Sequence, residues 1–136
     1  MIASLDECKK PFHKHLMIRA YADYAPTDMD ETRAWIDSLI LWLDMKKLQG
    51  PYISYVEAEG NRGLTAVAMI ETSHIAFHIW DEQKPSLLQF DVYTCGPLHA
   101  EATIKEVQKY FKIVSGEYVL YDREHAMTLI AEGKIA

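Results

Sequence analysis

The chain has little cysteine, and what it has is scattered: Cys8 and Cys95 are the only two in 136 residues. They form no CxxC pair, which excludes a zinc knuckle and a dithiol redox motif. Long apolar runs are missing, so no segment approaches the ~20 residues a membrane-spanning helix needs. Basic excess is missing as well. Fourteen Lys and Arg stand against twenty Asp and Glu, for a formal net charge of -6. Such a chain has no surplus of cations to neutralise phosphates, which argues against a nucleic-acid or anionic-membrane surface. The acidic balance suits a cationic small substrate. No apolar leader opens the sequence, so a reducing cytoplasm with both thiols free is expected. Repeats and low-complexity linkers are absent, and one domain over 1–136 is expected.

What remains is an ordinary globular composition, 49% hydrophobic and 25% charged, with enough length to bury a substantial core. His15 to Ala22 reads as a first strand. Thr27 or Asp28 can cap a following helix whose first turn carries Asp30 and Glu31. Ile36, Leu39, Ile40 and Leu43 recur at helical spacing. Lys46 and Lys47 are placed in the last turn, with Gly50-Pro51 as the stop. Four strands follow, over Tyr52–Glu57, Leu64–Glu71, His74–Trp80 and Leu87–Tyr93, the first two joined by a turn around Gly60 and Gly63. A second helix is predicted over Leu98–Lys112, a last strand over Glu117–Tyr121, and a short helix in the tail from His125. The order β-α-β-β-β-β-α-β predicts an α+β two-layer sandwich, a mainly antiparallel sheet with both helices on one face. Leu64 to Ile70 is apolar on both sides, which points to a second subunit covering the free face.

The stretch from Glu71 to Glu82 is the densest in chemistry. On a strand, period two puts His74, Ala76, His78 and Trp80 on one face and Ile75, Phe77 and Ile79 on the other. Two imidazoles and an indole on one face suggest a site; a pair of hydrogen-bonded histidines at a sheet edge is the plain alternative. A zinc centre could recruit His13 and His15, but His74 and His78 are ~13 Å apart on a strand, too far to share one ion. No metal is therefore expected. Ser73 lacks the GxSxG elbow of a hydrolase nucleophile. Cys95 stands at a strand end before a helix, a position that favours a reactive thiol, although most free cysteines are small core residues.

Thr72-Ser73-His74, then His78-Ile79-Trp80-Asp81-Glu82, then Asp91-Val92-Tyr93-Thr94-Cys95-Gly96 together resemble the prokaryotic-type, pyruvoyl-dependent S-adenosylmethionine decarboxylases. That family has Glu-Ser-His, His-Thr-Trp-Pro-Glu and Asp-Val-Phe-Thr-Cys-Gly in the same order, and the resemblance extends over nearly the whole chain. It implies self-cleavage between Thr72 and Ser73, with Ser73 becoming a covalent pyruvoyl cofactor that takes up the substrate amine and accepts electrons on decarboxylation. His78 would assist the elimination, and the Thr65 hydroxyl would aid processing. Cys95 would be the acid that reprotonates the product. Glu82 would bind the ribose hydroxyls and Trp80 would wall the nucleoside pocket. The unit would be a homodimer with sites near the subunit interface.

Several positions depart from the family pattern. Thr72 stands for glutamate, Ile79 for threonine and Asp81 for proline. The position of the aromatic residue that stacks on adenine is Glu59, with Tyr55 the nearest aromatic. Stacking of that kind contributes ~1 kcal/mol. The leading expectation is decarboxylation of S-adenosylmethionine for polyamine synthesis. Two others are carried with it: the same chemistry on arginine or ornithine, favoured by Glu57 and Glu59, and an uncleaved, non-catalytic family member.

Overall fold

The structure, a computed structural model, describes residues 13–136. Cys8 lies outside them, and Cys95 is a free thiol. Seven strands and two helices run in the order β1 (Lys14–Ala22), α1 (Met29–Trp42), β2 (Lys47–Val56), β3 (Gly63–Ile70), β4 (Ser73–Trp80), β5 (Ser86–Thr94), α2 (Ala100–Phe111), β6 (Ile113–Asp122) and β7 (Thr128–Ile135). The strands form one sheet in the order β2-β3-β4-β5-β1-β6-β7, and every neighbouring pair is antiparallel. The predicted α+β sandwich is the observed fold.

Alternation sets the layers. Leu16, Ile18 and Ala20 of β1, Ala66 and Ala68 of β3, Ile75, Phe77 and Ile79 of β4, and Leu88, Phe90 and Val92 of β5 are all buried. Both helices cover this face. The Trp35 ring of α1 meets Phe77 and Phe90 from the sheet and stacks on Tyr110 of α2 at 4.2 Å, with Phe111 edge-on beside it. The buried Phe77, Phe90 and Phe111 each contribute ~1.5–3 kcal/mol from area alone. Among the described residues no layer covers the opposite face, and Val67 and Met69 are exposed there.

Three expectations about element ends are corrected. The first helix stops at Trp42, so Lys46 and Lys47 are not in its last turn. Asp44 adopts the left-handed conformation at φ 57°, its N–H bonds to the Leu41 carbonyl, and the Met45 N–H bonds to the Ile40 carbonyl. That is the Schellman closure usually marked by glycine; here aspartate takes the position. Gly50-Pro51 is no helix stop. It lies within β2 at the second of two shifts of register, between Gln49 and Tyr52, on an edge strand where proline removes no ladder bond that the sheet needs. The tail from His125 forms β7, not a helix, because its backbone completes the ladder with β6. The last predicted strand is correspondingly longer, Ile113–Asp122.

Candidate active site

Glu71 and Thr72 are the two residues between β3 and β4, where Ile70 pairs with Ser73. Thr72 has φ 55°. A β-branched residue in the left-handed region is a true outlier, costing about 1–3 kcal/mol. Its carbonyl belongs to the bond that precedes Ser73. The register that pairs His74 with Tyr93 brings Ser73 to the end of β5, beside Cys95. The Cys95 N–H donates to Ser73 Oγ at 3.1 Å, and the hydroxyl lies 3.8 Å from Cys95 Sγ. The Thr72 hydroxyl donates to the Glu71 carbonyl at 2.7 Å and also touches Cys95 Sγ. Thr72, Ser73 and Cys95 thus form one compact group.

Thr65 and His78 form a second group. They are opposite one another on β3 and β4, and Thr65 Oγ1 contacts His78 Nδ1. His78 is five residues from Ser73 along β4, roughly 16 Å, and has the opposite parity, so it projects from the other sheet face. One chain does not bring His78 to Ser73.

The third group is at the far end of β4. Glu82 accepts from the N–H groups of Gly60 at 3.0 Å and Arg62 at 3.1 Å. Those bonds, Gly60 first, hold its carboxyl below the usual range. Trp80 Nε1 donates to Asn61 Oδ1 at 2.6 Å, and the Tyr55 hydroxyl donates to Asp81 at 2.6 Å. A shallow cavity of about 300 Å³ is lined by Gly60, Trp80, Glu82, Gln83 and Leu87. Glu59 is exposed in the turn before Gly60. The β2–β3 turn is therefore clamped by Glu82 and Trp80, the two residues expected to hold a nucleoside.

Sequence reasoning missed a fourth group on the open face. Asp91 Oδ2 lies 2.7 Å from His15 Nε2 and 2.9 Å from His74 Nε2. Burial would raise the Asp91 pKa, but the bonds and charges of the two histidines outweigh it and hold it down to about 2. That His15, His74 and Asp91 each alternate with buried apolar neighbours was readable; the strand order β4-β5-β1 that joins them was not.

The S-adenosylmethionine decarboxylase family model matches residues 14–124. A protein of Methanococcus maripaludis named S-adenosylmethionine decarboxylase proenzyme is 40% identical over 52 residues, 38% of this chain and 41% of that one. The chain thus spans about two fifths of that relative. A Sulfurihydrogenibium protein of the same name is 26% identical over 106 residues, 76% of this chain and 74% of its own. The crystal structure of the adenosylmethionine decarboxylase from Aquifex aeolicus superposes with a TM-score of 0.67 at 20% identity, covering 86% of this chain and 94% of that one, and so shares its fold. Among the described residues no helix is long and apolar enough to cross a membrane. With the family model spanning β1 to the end of β6, this chain belongs to the S-adenosylmethionine decarboxylase family.

Proposed function

We propose that the chain cuts itself between Thr72 and Ser73 and then decarboxylates S-adenosylmethionine, yielding the aminopropyl donor of polyamine synthesis. The observation that carries this reading is the Thr72–Ser73–Cys95 group: a serine hydroxyl that follows the carbonyl of a residue held in the left-handed region, with the Cys95 thiol against the Ser73 and Thr72 hydroxyls.

The residues fit the chemistry. Ser73 Oγ attacks the Thr72 carbonyl carbon, and the amide becomes an ester. Loss of the residue 73 α-proton then breaks the Cβ–O bond, and Thr72 departs as a carboxylate. Water replaces the remaining nitrogen, which leaves as ammonia, so residue 73 ends as a pyruvoyl group. That group supplies an electron sink for decarboxylation. The Cys95 N–H, which holds Ser73 Oγ, fixes the reacting end of β4 against β5. The Cys95 thiol is the proton donor to the product carbon. Glu82 exchanges its bonds to Gly60 and Arg62 for the ribose hydroxyls, and Trp80 walls that pocket. A cytoplasmic location is part of the proposal, because the Cys95 thiol must stay reduced.

Processing by Thr65 and His78 requires two copies. Their distance from Ser73 within one chain supports a homodimer in which one chain's His78 serves the partner's cleavage site. Purified protein on a denaturing gel tests the reading. Fragments of 72 and 64 residues and carbon dioxide release from labelled S-adenosylmethionine are expected, and Ser73→Ala abolishes both. An intact wild-type chain refutes it. Co-expressed Ser73→Ala and His78→Ala chains test the dimer: the His78→Ala chain is cleaved only if the other chain supplies its histidine.

A further inference from the structure

The proposed chemistry does not use the group formed by His15, His74 and Asp91. His15 and His74 both pair with Tyr93, one from β1 and one from β4, so they straddle β5. Asp91 lies two residues along β5 on the same face. Three adjacent strands therefore aim three side chains at one point. His15 Nε2, His74 Nε2 and Asp91 Oδ2 all lie within 4.8 Å of one another, and the two rings meet at right angles, 5.7 Å between centroids. Their side chains are 16%, 37% and 29% exposed, shielded but reachable from solvent.

We propose that His15, His74 and Asp91 form a three-ligand site for a divalent transition-metal ion, with zinc the best match and a fourth position open to water. Two imidazole nitrogens and one carboxylate oxygen are the donor set of such ions; magnesium prefers an octahedron of oxygens. Ligands ~2.0–2.1 Å from a tetrahedral ion are about 3.3 Å apart. The present separations of 2.7 and 2.9 Å thus need to open by about half an ångström, which side-chain rotation on a fixed sheet supplies. Binding through both Nε2 atoms requires each imidazole to be neutral with its proton on Nδ1, so the hydrogen bonds to Asp91 give way to the ion.

One neighbour opposes the ion. Arg123 Nη1 is 3.2 Å from His15 Nδ1, and its guanidinium is 4.4 Å from the Tyr93 ring centroid. Donation to Nδ1 leaves the His15 proton on Nε2, where the metal has to bind, and the cation adds repulsion. The Tyr93 hydroxyl is occupied by His13 Nδ1 at 2.9 Å and is not a ligand. An ion here would tie the start of β4, the residue after Ser73, to β1. The inference does not rest on the decarboxylase reading.

The test is titration of chelator-treated, full-length protein with Co²⁺, followed by the visible absorption of four-coordinate cobalt and by its displacement with Zn²⁺. One ion per chain is expected. His15→Ala and Asp91→Asn weaken binding at least tenfold, and His125→Ala, on the β6–β7 connection, leaves it unchanged. Arg123→Ala, a change at a surface side chain, tightens binding about tenfold, and that gain cannot come from misfolding. Absence of stoichiometric binding, binding that survives both ligand variants, or an Arg123→Ala protein with no gain overturns the proposal.

Discussion

Thr72 is where backbone conformation and proposed chemistry meet, and Thr72→Gly separates them. At φ 55° a residue with a Cβ carries a penalty of about 1–2 kcal/mol that glycine does not. The penalty is present in the intact chain. It is relieved once the Thr72–Ser73 bond breaks and Thr72 becomes a free terminus. If that relief is realised at the rate-limiting step, removing it slows cleavage by up to ~5–30-fold, at 1.36 kcal/mol per tenfold. The assay is the fraction of intact chain against time on a denaturing gel, started from freshly synthesised protein. Thr72→Val controls for the hydroxyl. It keeps the branched Cβ and its strain but loses the contacts to Cys95 and the Glu71 carbonyl, and it is expected to cleave within about threefold of wild type. A Thr72→Gly protein that cleaves as fast as wild type refutes the role of strain. A Thr72→Val protein as slow as Thr72→Gly transfers the effect to the hydroxyl.

Cys95→Ala leaves the two fragments on the gel while carbon dioxide release falls ~10²–10⁴-fold, the usual contribution of a positioned acid; unchanged turnover removes Cys95 from that role. Gly63→Ala places a Cβ 1.8 Å from the Ile79 carbonyl oxygen, at φ 145°. It should cost about 3 kcal/mol or more and lower Tm by roughly 10 °C, read by thermal melts. Glu31 accepts from both Tyr24 and Tyr110, and its hydrogen bond, more than burial, lifts the Tyr24 pKa to about 12. A raised pKa means that this contribution to stability is complete below pH ~10 and fades as pH rises through about 12. Glu31→Gln therefore brings one late-ionising tyrosine back toward ~10 in an ultraviolet titration; an unchanged curve refutes the assignment.

The faces of β4 were legible because period two is a property of one strand. His74, His78 and Trp80 follow from it, as does the burial of Ile75, Phe77 and Ile79. The helix start was legible as a cap by Thr27 or Asp28, and Asp28 takes it, its carboxylate accepting from the N–H groups of Asp30 and Glu31. Asp44 was not, because an aspartate in place of glycine at the helix end carries no strong local signal. β7 was missed for a related reason. An edge strand with Leu129 and Ile130 exposed has neither the alternation of a half-buried strand nor the spacing of a helix, and only its pairing with β6 defines it.

Register decides what the faces cannot. Period two alone puts His74 and His78 on one face, ~13 Å apart. Pairing with the neighbouring strands gives each its own partners, because β3 gives His78 to Thr65 while β5 and β1 give His74 to Asp91 and His15. Ser73, with the other parity, turns from both toward Cys95. A single strand of eight residues thus carries Ser73 at its start, His78 beyond its middle and Trp80 at its end, the residues proposed for cleavage, for processing and for the nucleoside wall. The His78 and Trp80 rings meet, 6.1 Å between centroids, but along an extended backbone Ser73 is separated from His78 by more than a side chain can reach. No rotamer change within one chain can bring His78 to Ser73, so the chemistry needs either a second copy or a different base. The co-expression of Ser73→Ala with His78→Ala decides between those two, because only a shared site lets two chains, each inert alone, yield a cut product.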